Sequence, residues 1–243
     1  MEKKLVERAV FSEASEESDF LSALKVIFDA GDFPEEIVEL KDSDELDEFL
    51  EKEERALCCL MDRILLESDV FDIYLEESNP QKAMSIARRM DYSFIKDYLR
   101  HKIDLGNLKI FCRIKYSGHP IEKFESLILK GGFLDEKILL QNFNLTYGEI
   151  GDKFRANPYQ ELWNRATDVL EERETFVELE RGIEDFLMKY LRRAKYIVFG
   201  PEPVFAYGLA KRKELRMVRL LGVGKLNHIS PELLKERISE TYV

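Results

Sequence analysis

With 243 residues, 45% of them hydrophobic and 35% charged, the chain is long enough to bury a substantial core and has the composition of a folded protein, not a disordered one. A formal net charge of −11 argues against general affinity for nucleic acid or an anionic membrane surface, since both need clustered cations to neutralise phosphates. No window approaches the ~20 apolar residues of a membrane span, and the N-terminal run MEKKLVERAVFSEASEE lacks the apolar centre of a signal peptide, so a cytoplasmic location is expected.

Cys58, Cys59 and Cys112 are odd in number and two are adjacent, which suits neither a disulfide framework nor a CxxC metal site; reduced core thiols are expected. The charge is uneven. Residues 1–80 carry 25 acidic against 8 basic residues, 81–160 carry 9 against 14, and 161–243 carry 14 against 15. The first third is therefore an acidic body, whereas the rest is neutral to basic. Such asymmetry fits solvated faces and equally fits surfaces that steer different partners.

In chain order, residues 1–29 read as one helix with Phe20, Leu21, Leu24, Ile27 and Phe28 on one face, stopped by Gly31. Pro34 with Glu35 and Glu36 restarts a short helix through Leu40. Asp42 or Ser43 then caps a longer one, striped by Leu46, Phe49, Leu50, Leu57, Leu60, Met61, Ile64 and Leu65. Asn79-Pro80 is a cap followed by a first-turn proline, and Asp91 is expected to cap a helix carrying Phe94, Ile95, Tyr98, Leu99, Ile103, Leu105, Leu108 and Cys112, with Gly106 inside it.

Ser117-Gly118-His119-Pro120 reads as a turn, followed by an amphipathic helix through Ile121, Phe124, Leu127 and Ile128 that Gly131-Gly132 ends. Asn157-Pro158 opens a long apolar stripe from Leu162 to Leu191; Thr175 and Glu178, spaced as a capping box, leave two helices as an alternative to one. Tyr196-Ile197-Val198-Phe199 and the run from Val218 have strand-like composition, but no alternating pattern elsewhere would supply partner strands, so helix or extended linker is expected. Glu202 precedes Pro203, which should push it out of the α region and open the last long helix at Pro203 after a stiff Gly200-Pro201-Glu202 turn. From there Val204, Phe205, Tyr207 and Leu209 fall on neighbouring turns. Ala206, Gly208, Ala210, Gly222 and Gly224 keep the surface thin, as where another helix comes close; Gly costs about 1 kcal/mol against Ala in a helix.

The chain also repeats. Asp104–Lys115 (DLGNLKIFCRIK) aligns with Glu214–Lys225 (ELRMVRLLGVGK) at a spacing of 110, with seven of twelve positions identical or similar. Gly31-Asp32-Phe33 pairs with Gly131-Gly132-Phe133 at a spacing of 100, and Glu54-Arg55-Ala56-Leu57 with Glu180-Arg181-Gly182-Ile183 at 126. Outer arms thus alternate with inner segments. Boundaries follow at 1–80, an outer arm alone; 81–195, an inner segment with its outer arm; and 196–243, a further inner segment.

Patterns that resemble chemistry fall short of it. Gly222-Val223-Gly224-Lys225 lacks the four-residue spacing and the following Ser or Thr of a phosphate loop. Asp42-Ser43-Asp44-Glu45-Leu46-Asp47 has Asp where a calcium loop needs Gly, and reads as a helix cap. His101, His119 and His228 are far apart, with no second ligand at metal spacing, and no Ser, Cys or Lys stands in a nucleophile motif. No catalytic, cofactor-binding or metal-binding residue is expected. One constellation rises above background: Arg100, Lys102, Lys109, Arg113 and Lys115 on the first inner segment, and Lys211, Arg212, Lys213, Arg216, Arg219 and Lys225 on the second, joined by Glu202. These read either as solvated helix faces or as basic faces lining a mouth for an acidic or amide-rich partner.

The run from Gly200 to Val243 (GPEPVFAYGLAKRKELRMVRLLGVGKLNHISPELLKERISETYV) resembles the C-terminal signature of the C-subunit family of V-type (A-type) ATPases, relatives of the eukaryotic d subunit. Phe176–Leu187 and Tyr98–Lys109 look like the same family; the match is dense from about Asp91 onward and looser before it. The resemblance implies an all-α fold of three pseudo-equivalent units arranged as a funnel about a pseudo-three-fold axis. This chain lacks a match to the first inner segment, which a truncated gene product, a misplaced start or a divergent paralogue would each produce. The implied role is a non-catalytic central-stalk part that couples the rotor shaft to the membrane proteolipid ring, without cofactor, nucleic acid or small-molecule substrate, and held peripherally at the membrane through protein contacts. A scaffold or assembly factor derived from the same family is the alternative.

Overall fold

The structure is a computed structural model and describes residues 4–154 and 157–243; the first three residues of the helix expected over 1–29 lie outside the described residues. Among the described residues every regular element is helical, so the expected all-α class holds. In order these are α1 (Arg8–Glu16), α2 (Phe20–Ala30), a 3₁₀ turn (Glu35–Val38), α3 (Ser43–Ile64), α4 (Ser68–Leu75), a 3₁₀ turn (Glu76–Ser78), α5 (Pro80–Ala87) and α6 (Ser93–Tyr116). There follow α7 (Ile121–Glu125), α8 (Glu136–Gln141), α9 (Tyr147–Lys153), α10 (Gln160–Arg173), α11 (Val177–Leu191), a 3₁₀ turn (Arg192–Tyr196), α12 (Glu202–Leu226) and α13 (Pro231–Arg237).

The chain divides into two compact units: Met1–Tyr74 with Met188–Val243, and Leu75–Leu187. In the first, α12 lies against α1, α2 and α3 and is buried on most sides. The thin positions have a cause. A Cβ on Gly222 would stand 2.5 Å from Leu46 Cδ2 and 3.1 Å from Phe20 Cε2, so side chains of α3 and α2 occupy the space that a methyl would need. In the second unit α6 is central. Trp163 is fully buried, donates to the Tyr147 carbonyl at 2.9 Å and has the rings of Phe111, Tyr147 and Phe154 around it.

Local chemistry sets several boundaries as the sequence predicts. The Asp42 carboxylate accepts from Asp44 N–H at 3.0 Å and Glu45 N–H at 2.9 Å to cap α3, and the Asn79 side chain caps α5 ahead of Pro80. Other boundaries differ. The single helix expected over 1–29 is two, because Asp19 turns extended and its carboxylate takes the Ser22 N–H at 2.9 Å, starting a new helix at Phe20; Leu21, expected on the buried face, is exposed. The segment after Pro34 forms only a 3₁₀ turn.

Asp91 does not cap α6: Tyr92 holds the cap position, and the lost cap is replaced by burial of the predicted stripe. The helix expected through Ile128 ends at Glu125, leaving Leu127 exposed. The stripe from Leu162 splits at Glu174, which adopts φ 52°, while the Glu178 carboxylate turns to Arg165 and Arg181. Glu202 is the first residue of α12 and not a residue before it: Pro201 (φ −81°, ψ −10°) takes the cap position and Gly200 (φ 110°) makes the turn.

Candidate functional site

The two inner segments are the C-terminal part of α6 and the corresponding part of α12. Each begins its repeat with a buried carboxylate. Asp104, 1% exposed, accepts from Phe133 N–H at 2.9 Å, Leu134 N–H at 3.1 Å and the Tyr159 hydroxyl at 2.8 Å. Tyr159 also lies 2.7 Å from His101 Nδ1; the single phenolic proton goes to Asp104, so His101 carries a proton on Nδ1 and donates to the Tyr159 oxygen. Burial pushes Asp104 above the usual carboxylate range, against the opposing hydrogen bonds of Tyr159, Phe133 and Leu134, and pushes the Tyr159 hydroxyl up as well.

Glu214 stands where Asp104 stands, 110 residues later. It is 4% exposed, accepts from Val6 N–H at 2.8 Å and pairs with the ammonium of Lys211. Burial raises its proton affinity, and Lys211 only partly offsets this.

The correspondence extends along both helices. His101 packs on the Phe133 ring with centroids 4.8 Å apart, and Lys211 stands 4.4 Å above the Phe33 ring. Lys102 pairs with Glu77, and Arg212 lies 3.5 Å from Glu54 while donating to the Tyr74 carbonyl at 3.1 Å. Lys109 meets Glu180 at 3.0 Å, and Arg219 meets Asp47 at 2.9 Å. At the C-terminal end Lys115 donates to the Phe143 carbonyl at 2.7 Å, whereas Lys225 donates to the carbonyls of Ser15, at 2.6 Å, and Glu17. The aligned charged positions therefore make like contacts within each unit.

The basic constellation is thus split between interior and surface. Lys211, Lys213 and Lys225 are buried, as is Glu202, and Lys102, Lys115 and Arg212 are half-buried struts. Arg100, Arg113, Arg216 and Arg219 face solvent, and Lys109 is partly exposed. Arg100 stands 5.1 Å over Phe133, and Arg113 meets Glu180 at 2.5 Å. A cavity of about 210 Å³ opens beside Lys211, lined by Glu53, Leu57, Leu60, Arg63 and Leu215.

The sequence pattern places Lys115 and Lys225 among partner-facing cations and passes over Asp104 and Glu214. Both carboxylates are the first pair of the 110-residue alignment, and that recurrence within one chain was the available signal. Gly222-Val223-Gly224-Lys225 lies inside α12, its lysine spent on carbonyls, which rules out a phosphate cradle there. Among the described residues no three His, Cys, Asp or Glu side chains gather to hold a metal ion; Cys58, Cys59 and Cys112 are free thiols, but only Cys112 lies in the core as expected, Cys58 being half-buried and Cys59 exposed.

The profile of the ATP synthase (C/AC39) subunit family matches residues 3–237. The chain is similar to the C subunit of the V-type sodium ATPase of Enterococcus hirae, 27% identical over 157 residues, covering 65% of this chain and 47% of that protein. It is similar to the C subunit of the A-type ATP synthase of Pyrococcus horikoshii, 27% identical over 220 residues, covering 85% and 55%. For the C subunit of the A-type ATP synthase of Halobacterium salinarum, identity is 24% over 161 residues, covering 66% and 46%. The chain spans about half the length of the curated relatives it matches.

Proposed function

The chain belongs to the ATP synthase (C/AC39) subunit family, and from that premise we propose that it is a non-catalytic coupling part of a rotary V/A-type ATPase, seated between the rotor shaft and the membrane proteolipid ring. The observation that carries this reading is the family match from residue 3 to residue 237. The physical chemistry supports it. A torque-transmitting part needs stiff helical packing with internally satisfied charge, and the matched ion pairs and carbonyl contacts along α6 and α12 supply that without a nucleophile or a metal. Repeated units suit a seat near a rotation axis, and we extend the proposal to a pseudo-three-fold funnel whose units follow the boundaries 1–80, 81–195 and 196–243.

Within this reading Arg100, Arg113, Arg216 and Arg219 are the residues that meet the shaft or the polar loops of the ring, because they are the arginines of the inner helices exposed to solvent. Lys211, Lys213 and Lys225 act from inside. No helix among the described residues is long and apolar enough to cross a membrane; in this reading the chain meets the ring through protein contacts.

The test is co-purification of the full chain with tagged shaft and ring subunits. Reversing Arg100 and Arg216 to Glu, at exposed positions that leave the fold intact, is expected to cut recovery of the complex about tenfold or more. Undiminished recovery would remove these residues from the interface. Failure of the unaltered chain to join either partner would remove the rotary role and leave a scaffold or assembly factor.

A further inference from the structure

Three of the four most exposed large apolar side chains among the described residues stand within one four-residue stretch: Tyr196 (87%), Val198 (82%) and Phe199 (88%). They form an exposed apolar tip: Tyr196 ends the 3₁₀ turn Arg192–Tyr196, Val198 and Phe199 lie in the link to α12, and Gly200 follows at φ 110°. An isolated apolar side chain on a surface needs no explanation, but contiguous ones mark a contact.

The chain leading into this tip is cationic. From Phe186 to Pro201 the sequence holds Lys189, Arg192, Arg193 and Lys195 and no acid. Arg192 is committed to Glu240 at 2.8 Å and to the Thr241 carbonyl at 2.8 Å. Lys189, Arg193 and Lys195 are exposed; Arg193 is held 4.8 Å over the Tyr190 ring and Lys195 4.9 Å over the Tyr242 ring, which fixes both heads beside the tip. Of the acids flanking this stretch, Glu184 and Asp185 lie about one helical turn before Lys189 on α11, Glu240 is shared by Arg192 and Arg8, and Glu202 is buried.

We propose that Lys189–Phe199 docks on an anionic lipid surface, with Tyr196, Val198 and Phe199 entering the boundary between headgroups and acyl chains and Lys189, Arg193 and Lys195 meeting lipid phosphates. Exposed aromatic and aliphatic side chains in the same short stretch as exposed cations are the pairing that the headgroup–acyl boundary of an anionic bilayer accepts. A socket on another protein would have to be an apolar pit ringed by acids to satisfy the same tip. The net charge of −11 repels the remainder of the molecule from an anionic surface, so the contact is confined to this tip, reversible and sensitive to salt. The inference does not depend on the rotary assignment.

Flotation of the full chain with phosphatidylcholine vesicles, with and without phosphatidylglycerol, tests it. The chain is expected to float with the anionic vesicles at low ionic strength and to be released by salt. Phe199→Ser and Val198→Asp, both at exposed positions, should each weaken binding about tenfold with unchanged circular dichroism, and Arg193→Glu with Lys195→Glu should abolish the preference for phosphatidylglycerol. Equal flotation with both vesicle types, no flotation, or undiminished flotation of Phe199→Ser would overturn the proposal. So would sedimentation showing self-association that Phe199→Ser abolishes, which makes the tip a contact between two copies.

Discussion

Asp104 is 1% exposed, yet its oxygens accept from two backbone N–H groups and a tyrosine hydroxyl, and the two N–H groups would be stranded if the carboxylate were removed, while Tyr159 keeps His101. A buried donor without an acceptor costs about 1–3 kcal/mol, so Asp104→Ala is expected to lose about 3 kcal/mol or more and Asp104→Asn less, since its amide oxygen keeps acceptor capacity. Urea unfolding followed by Trp163 fluorescence measures this; an Ala variant as stable as wild type would show that the loop at Phe133 does not need the carboxylate.

The same residue predicts a pH effect. Burial gives native Asp104 a higher proton affinity than the unfolded chain has, so its contribution favours folding below the ordinary carboxylate range and is lost as pH rises through the raised native value. Glu240 has the opposite sign. The Arg192 hydrogen bond lowers its native proton affinity, so its stabilisation is present above the ordinary carboxylate range and is lost as pH falls through the lowered value. The stability gap between wild type and Glu240→Gln should therefore shrink towards acid, and that between wild type and Asp104→Asn should shrink towards neutral pH. Midpoints that move the same way for both variants would refute the assignment.

Along the helices, the glycines of α12 separate propensity from packing. Gly222→Ala gains about 1 kcal/mol of helix propensity, but its Cβ must displace Leu46 and Phe20, and overpacking costs about 1–3 kcal/mol. A net loss is expected. Gly148, in α9, has no atom within 4 Å of the place a methyl would take, so Gly148→Ala should stabilise by about 0.5–1 kcal/mol. Thermal melts of the two variants that shift in the same direction would contradict this contrast. The lysines at the ends of the inner helices make a second pair. Lys225→Met should loosen the junction of α1 and α2, where the Ser15 and Glu17 carbonyls lose their donor, and Lys115→Met should loosen the chain around Phe143. Amide exchange reads each region separately; protection unchanged at both sites would reduce these lysines to surface charges.

Helix ends were legible where a side chain caps its own backbone, as at Asp42 and Asn79, because that interaction spans two or three residues. They were not legible at Tyr92, which has no side-chain cap, or at Glu125, where the apolar spacing runs on and the helix does not.

For the molecule as a whole, one unit is assembled from both ends of the chain: the Val6 N–H bonds Glu214 and Arg8 meets Glu240 at 2.9 Å. The other is continuous and holds Trp163, the chain's only tryptophan, in its core. Fluorescence therefore reports one unit and far-ultraviolet circular dichroism reports both. Lys225→Met is expected to lower the dichroism midpoint while leaving the fluorescence midpoint in place, and equal shifts by both probes would show that the units unfold as one.

What the sequence by itself determined was the helical class, the capped helix starts and the 110-residue repeat with its recurring charged positions, because periodicity and capping are properties of neighbouring residues. Tertiary structure alone decided which cations belong to the interior. Lys211 and Lys225 have the spacing of ordinary surface lysines, and α12 is buried on so many sides that no stripe distinguishes its faces. Lys211 is offset by Glu214, three residues on, whose carboxylate is itself held by the Val6 N–H from 208 positions away, and Lys225 by the carbonyls of Ser15 and Glu17, 210 and 208 positions away. No local pattern carries contacts at that separation.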